Sequence, residues 1–74
     1  MFKRVLMNGI SVEEKDPDKI LSLIIQQKPR TITINFVQNF AELKIDRGMT
    51  IITNTLTKPQ YSFALKCITA MEIN

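Results

Sequence analysis

Residues 30–46 read RTITINFVQNFAELKID, and the spacing of apolar residues in this stretch decides the fold. Ile32, Ile34 and Phe36 alternate with Thr31, Thr33 and Asn35; after a polar interval, Ala41, Leu43 and Ile45 alternate with Glu42, Lys44 and Asp46. A period of two sends successive side chains to opposite faces of a strand, so each run is a strand with one buried face. Val37, Gln38 and Asn39 supply the turn between the two strands. Asp46-Arg47-Gly48 supplies the next turn, and residues 49–57, MTIITNTLT, are too rich in β-branched residues for a comfortable helix. They are read as a further strand, ended by Lys58-Pro59.

Upstream of this meander the period changes. Asp16-Pro17-Asp18 is a helix start: Asp16 can cap, Pro17 has the φ of a first helical position, and Asp18 complements the positive end of the helix. Ile20, Leu21, Leu23 and Ile24 then form an apolar stripe, with Lys19, Ser22 and Gln26 on the other side. Gln27-Lys28-Pro29 ends the helix, because a residue before proline is driven out of the α region. Further upstream, Asn8-Gly9 is the pair that best accepts two consecutive positive φ angles, which predicts a two-residue hairpin. That hairpin would set Met7 against Ile10, Val5 against Val12, Arg4 against Glu13 and Lys3 against Glu14. Ser11-x-x-Glu14 has the spacing of a competing helix capping box, but Pro17 argues against a continuous helix from Val12.

The C-terminal segment permits two readings. Tyr61, Phe63, Leu65, Cys67, Met71 and Ile73 fall on alternate positions, whereas Ala64, Cys67, Ile68 and Met71 follow helical spacing. The strand reading is preferred for residues 60–73, with helix as the alternative. The expected architecture is α+β, a small single domain spanning residues 1–74. It has an N-terminal β-hairpin and one helix, about residues 17–27, packed on an antiparallel meander of three to four strands.

Composition narrows the chemistry. The chain has 74 residues, with 0 His, 1 Cys and 0 Trp, which leaves no disulfide framework, no Cys/His zinc site and no His-based catalytic relay within one chain. Glu13, Glu14, Asp16 and Asp18 crowd one segment but lack the register and glycine of a calcium loop, and pairing and capping account for them; no metal and no cofactor are expected. A carboxylate pair for acid–base work, from Glu42 or Asp46 with this group, would need a cleft that so small a domain rarely encloses. Cys67 has no histidine base and reads as structural, and a Ser62–Lys66 pair would face together only on a helix. The expectation is a protein that is not an enzyme.

The net charge of +3 understates the basic character elsewhere, since those four acids lie within residues 11–19. Phe40 and Tyr61 flank turns near Lys44, Arg47 and Lys58, and aromatics rimmed by cations are the usual platform for single-stranded nucleic acid. Phe36 and Phe63 sit in apolar registers and read as core. Thr31, Thr33, Asn35, Thr50, Thr53, Asn54, Thr55 and Thr57 give the strands a polar outer surface. A flat face or an unpaired edge of that kind docks another chain. Ile25, Ile52 and Leu56, with Thr53 and Thr55, are the candidate contacts.

The leading expectation is a non-catalytic protein-binding module, a homo-oligomer that sequesters or inhibits a partner. The alternative is a nucleic-acid-binding protein using its basic surface. Domains of this size rich in Ile, Lys and Asn are often phage or mobile-element accessory proteins, which sets an expectation of cytoplasm, the host's if phage-encoded. MFKRVLMNGI has no signal-peptide pattern and no apolar run is long enough for a membrane span, so no membrane partner is expected.

Overall fold

The computed structural model describes residues 1–72. The chain runs β1 (Phe2–Met7), β2 (Ile10–Ser11), α1 (Pro17–Gln27), β3 (Thr31–Phe36), β4 (Glu42–Asp46), β5 (Met49–Thr53) and α2 (Lys58–Glu72). The strands form one antiparallel five-stranded sheet in the order β2-β1-β3-β4-β5. Two helices cover one face of it, and the other face is open.

The alternation read in β3 and β4 is the alternation observed. Ile32, Ile34, Phe36, Leu43 and Ile45 are buried, and they share one cluster with Val5 and Met7 of β1, Ile20 and Ile24 of α1, and Phe63, Ala64, Cys67 and Ala70 of α2. Phe2, Phe36 and Phe63 close one end of the core, with ring centroids 5.0–6.5 Å apart. That spacing suits the tilted and edge-on contacts that aromatic quadrupoles favour.

Helix α1 begins and ends where its punctuation predicts. The Asp16 carboxylate accepts from the Asp18 N–H at 3.0 Å, Pro17 opens the first turn, and Lys28 closes the last turn in the left-handed conformation. The hairpin turn at Asn8-Gly9 takes the two positive φ angles expected, 52° and 78°, with Met7 opposite Ile10 and Leu6 opposite Ser11. Asn8 also reaches across the sheet. Its Oδ1 accepts from the N–H groups of Arg30 and Thr31, at 2.9 and 3.3 Å, and so pins the turn to the start of β3.

Three expectations are corrected. The charge pairs Arg4–Glu13 and Lys3–Glu14 do not form. Among the described residues one more hydrogen bond of the ladder follows Ser11, from Val12 N–H to Val5 O at 2.8 Å. The chain then leaves the sheet, and Glu14 folds back to accept from the backbone of Lys15 and Asp16. The strand foreseen over 49–57 stops at Thr53, because Asn54 turns the chain at φ 70°.

The third correction is the largest: residues 58–72 are a helix, so two helices cover the sheet instead of one. Its start carries a capping box that the sequence displays as Thr57-Lys58-Pro59-Gln60. Thr57 Oγ1 accepts from the Gln60 N–H at 3.3 Å, and Gln60 Oε1 accepts from the Thr57 N–H at 3.0 Å. Lys58-Pro59 therefore opens a helix as Asp16-Pro17 does, and its role as a strand breaker is incidental. The buried residues Phe63, Ala64, Cys67 and Ala70 lie at helical spacing. Ile73, placed in the strand pattern above, lies outside the described residues.

Candidate functional site

The longer open edge of the sheet is β5. None of Met49–Thr53 is buried, although all five pair with β4. Met49 and Ile51 project on the open face, Ile52 and Thr50 on the helical face, and the three apolar side chains are between 43 and 64% exposed. The strand holds no charge and no proline, the two devices that commonly blunt an edge. The opposite edge, β2, has two residues.

The direction of the free backbone groups follows from the ladder. Arg47 N–H donates to Arg30 O at 3.1 Å, so Ile45 and Leu43 bond to β3, while Asp46, Lys44 and Glu42 bond to β5. Their partners Met49, Ile51 and Thr53 thus bond inward. Thr50 and Ile52 direct their N–H and C=O groups outward.

Of the other residues singled out for protein contact, Ile25 is 44% exposed on α1, where it borders a shallow apolar groove with Leu21, Leu65 and Ala70. Leu56 is partly buried against the core instead. Thr53 is exposed at the end of β5, and the Thr55 carbonyl accepts from Asn39 Nδ2 at 3.2 Å.

The residues singled out for nucleic acid are not gathered together. Lys44 projects from the open face, Arg47 sits in the β4–β5 turn 4.0 Å from the Asp46 carboxylate, and Lys58 and Tyr61 belong to α2 on the far side of the sheet. Phe40 is 85% exposed and in the left-handed conformation at φ 49°. A bulky residue rarely accepts that backbone. The turn holding it is tied down: Asn54 Nδ2 donates to the carbonyls of Asn39 and Phe40, and Gln60 Nε2 donates to that of Gln38. Beside Phe40 a depression is lined by Lys3, Arg4 and Asn35. Lys3 and Arg4 in that role were not foreseen, because only the β1–β3 pairing brings them beside the 38–40 turn.

On the open face one row of side chains crosses the sheet. Arg4 Nε donates to Asn35 Oδ1 at 3.2 Å, and Asn35 Nδ2 donates to Glu42 Oε2 at 2.9 Å. This row fixes Glu42 in a structural contact. Cys67 is fully buried, and burial pushes its thiol up to about 12, because the thiolate would lose its hydration. Helix α2 does set Ser62 and Lys66 one turn apart, both exposed, and no hydrogen bond joins them among the described residues. Among those residues, too, no three His, Cys, Asp or Glu gather to hold a metal ion, and no helix is long and apolar enough to cross a membrane. No family model matches the sequence, and comparisons with curated proteins and with solved structures return no match.

Proposed function

We propose that this chain is a non-catalytic protein-binding module that self-associates and sequesters or inhibits a partner. The observation that carries the reading is β5, an uncharged apolar edge strand with free backbone groups at Thr50 and Ile52. Strand addition to such an edge draws affinity from main-chain hydrogen bonds and specificity from alternate side chains, here Met49 and Ile51 on one face and Ile52 on the other. The test is a pull-down with the tagged full chain, repeated after nuclease treatment and with Ile52→Lys. A protein, a second copy of this chain included, that is retained through nuclease and lost with Ile52→Lys is the expected result. Retention that survives the substitution removes β5 from the site.

A second reading, binding of single-stranded nucleic acid, has one observation in its favour: Phe40 stands exposed on a pinned turn beside Lys3 and Arg4. Stacking of one base on an aromatic ring contributes about 1–3 kcal/mol. Fluorescence anisotropy with a labelled single-stranded oligonucleotide measures it. In this reading Phe40→Ala weakens binding, and Arg4→Ala lowers the slope of affinity against salt. No binding at low salt rejects it.

A further inference from the structure

We propose that the strand received by β5 is β5 of a second copy, paired antiparallel about a two-fold axis through Ile51, so that two chains share one continuous sheet. The proposal rests on the reading of β5 as a protein-binding edge and names its occupant.

The ladder itself restricts the register. A two-fold axis perpendicular to the sheet pairs residues that face the same side, and hydrogen bonds form only between residues whose backbone groups point outward. Thr50 and Ile52 are those residues. Setting Thr50 of one chain against Ile52 of the other satisfies both conditions and centres the pairing on Ile51, the middle residue of Met49–Thr53. Every residue of the strand then has a partner: Met49 meets Thr53, Thr50 meets Ile52, and Ile51 meets Ile51. A second copy offers a strand of matching length, five residues, with no charge to bury.

Charge permits the arrangement. β5 carries none, and the charged residues paired with it are Glu42, Lys44 and Asp46 on β4. Across the dimer, Lys44 would face Lys44, and Glu42 would face Asp46, at three strand spacings, about 14 Å. That exceeds the screening length of about 8 Å at physiological salt. The assembly also closes. Pairing consumes the long edge of both copies and leaves at either end β2, two residues long, and the first residues of β1, Phe2–Arg4, which β2 does not cover. The contact is isologous and yields a dimer instead of a fibre.

The test uses the full chain with cysteine substitutions, made practical by the buried Cys67. Ile51 against Ile51 is a non-hydrogen-bonded pair, with Cα atoms about 4.5 Å apart, inside the disulfide range of about 4.4–6.8 Å. Met49 and its own copy stand four residues apart along the strand, about 14 Å. Ile51→Cys is therefore expected to oxidise to a covalent homodimer, whereas Met49→Cys and Ile10→Cys are not. The unsubstituted chain should sediment as a dimer across about 1–100 µM, a range that brackets ordinary self-association. Thr50→Pro should be monomeric, since it removes an outward N–H that β4 does not use. Ile51→Lys provides a second monomeric variant should the proline disturb the strand; both are checked by circular dichroism.

A chain that sediments as a monomer throughout overturns the proposal, as does a dimer that survives both Thr50→Pro and Ile51→Lys. If that monomer still captures a partner protein that Thr50→Pro releases, the second copy is wrong and the binding module stands. If β5 of the monomer captures nothing, both fail.

Discussion

The two edges of the sheet begin alike and end differently. Each follows a two-residue turn with positive φ at both positions, Asn8-Gly9 at 52° and 78° and Arg47-Gly48 at 49° and 87°. Beyond the first turn the chain pairs for two residues and leaves, drawn off by the Glu14 loop and the start of α1. Beyond the second it pairs for five residues, all uncharged and none buried. Turn chemistry therefore makes a hairpin, and the residues after it decide whether the resulting edge is closed or offered. A short acidic exit protects one side, and nothing comparable protects the other.

The strongest way to break the comparison is to remove what both edges depend on. β3 lies between them, and Ile34 is wholly buried. Ile34→Ala should lower stability by about 2–5 kcal/mol, measured by urea unfolding, because buried methylenes are lost and a cavity remains. A loss below about 1 kcal/mol would show that β3 is not the common support.

A smaller effect separates the interior from the edge. The Cys67 thiol is raised from 9.0 to about 12 by burial, so the folded state holds its proton where the unfolded state has lost it. Stability should then be unaffected by this group below about pH 9 and fall as pH rises towards about 12, with a limiting slope near 1.4 kcal/mol per unit. Cys67→Ala removes that part of the alkaline slope. In the folded Met49→Cys variant, whose thiol does not cross-link, thiol reagents at about pH 8 should label the introduced thiol on β5 and spare Cys67; equal labelling would mean that the interior opens as readily as the edge.

The turns are next. Asn8→Ala gives up a residue tolerant of positive φ and leaves two backbone donors without their acceptor, which should cost about 1–3 kcal/mol. Among the described residues the Arg47 side chain, itself 75% exposed, has only the half-buried Asp46 carboxylate near it, at 4.0 Å. Arg47→Asn should make the second turn resemble the first and raise stability by up to about 1 kcal/mol, since a left-handed backbone is costly for arginine and tolerated by asparagine. The smallest effect is expected at Ile10, 71% exposed on the short edge. Ile10→Lys should change stability by no more than about 0.5 kcal/mol and leave the oligomeric state untouched, in contrast to Ile51→Lys. A change of assembly at Ile10 would mean that the short edge is also in use.

Much of this fold is legible because its signals are local. Pro17 with Asp16 sets the start of α1, Asn8-Gly9 sets the first hairpin, and the period of two in 31–36 and 41–46 sets β3 and β4 with the correct faces. The candidate site is legible only in part. Ile52 and Thr53 stand on the exposed edge, but Leu56 packs on the core. Met49 and Ile51 escape a reading that could not tell which face of this strand is buried, when neither is. Phe40 is legible as exposed, whereas its cationic neighbours Lys3 and Arg4 come from the other end of the sequence.

What the sequence by itself determined is therefore the strand period, the turns, the first helix and its limits, each specified by residues a few positions apart. What only the tertiary structure decided is the state of residues 58–72 and the exposure of β5. Phe63, Leu65 and Cys67 alternate as a strand would, and Ala64, Cys67 and Ile68 recur as a helix would, so local pattern does not choose. The sheet does. Five strands span about 19 Å across their axes, and one helix about 10 Å wide covers half of that. Ile45 lies beside Ile68 and Met71 of α2, and with α1 alone that part of the sheet would face water. A second helix, packed close through Ala64, Cys67 and Ala70, completes the layer and leaves β5 at its margin, with none of Met49–Thr53 buried.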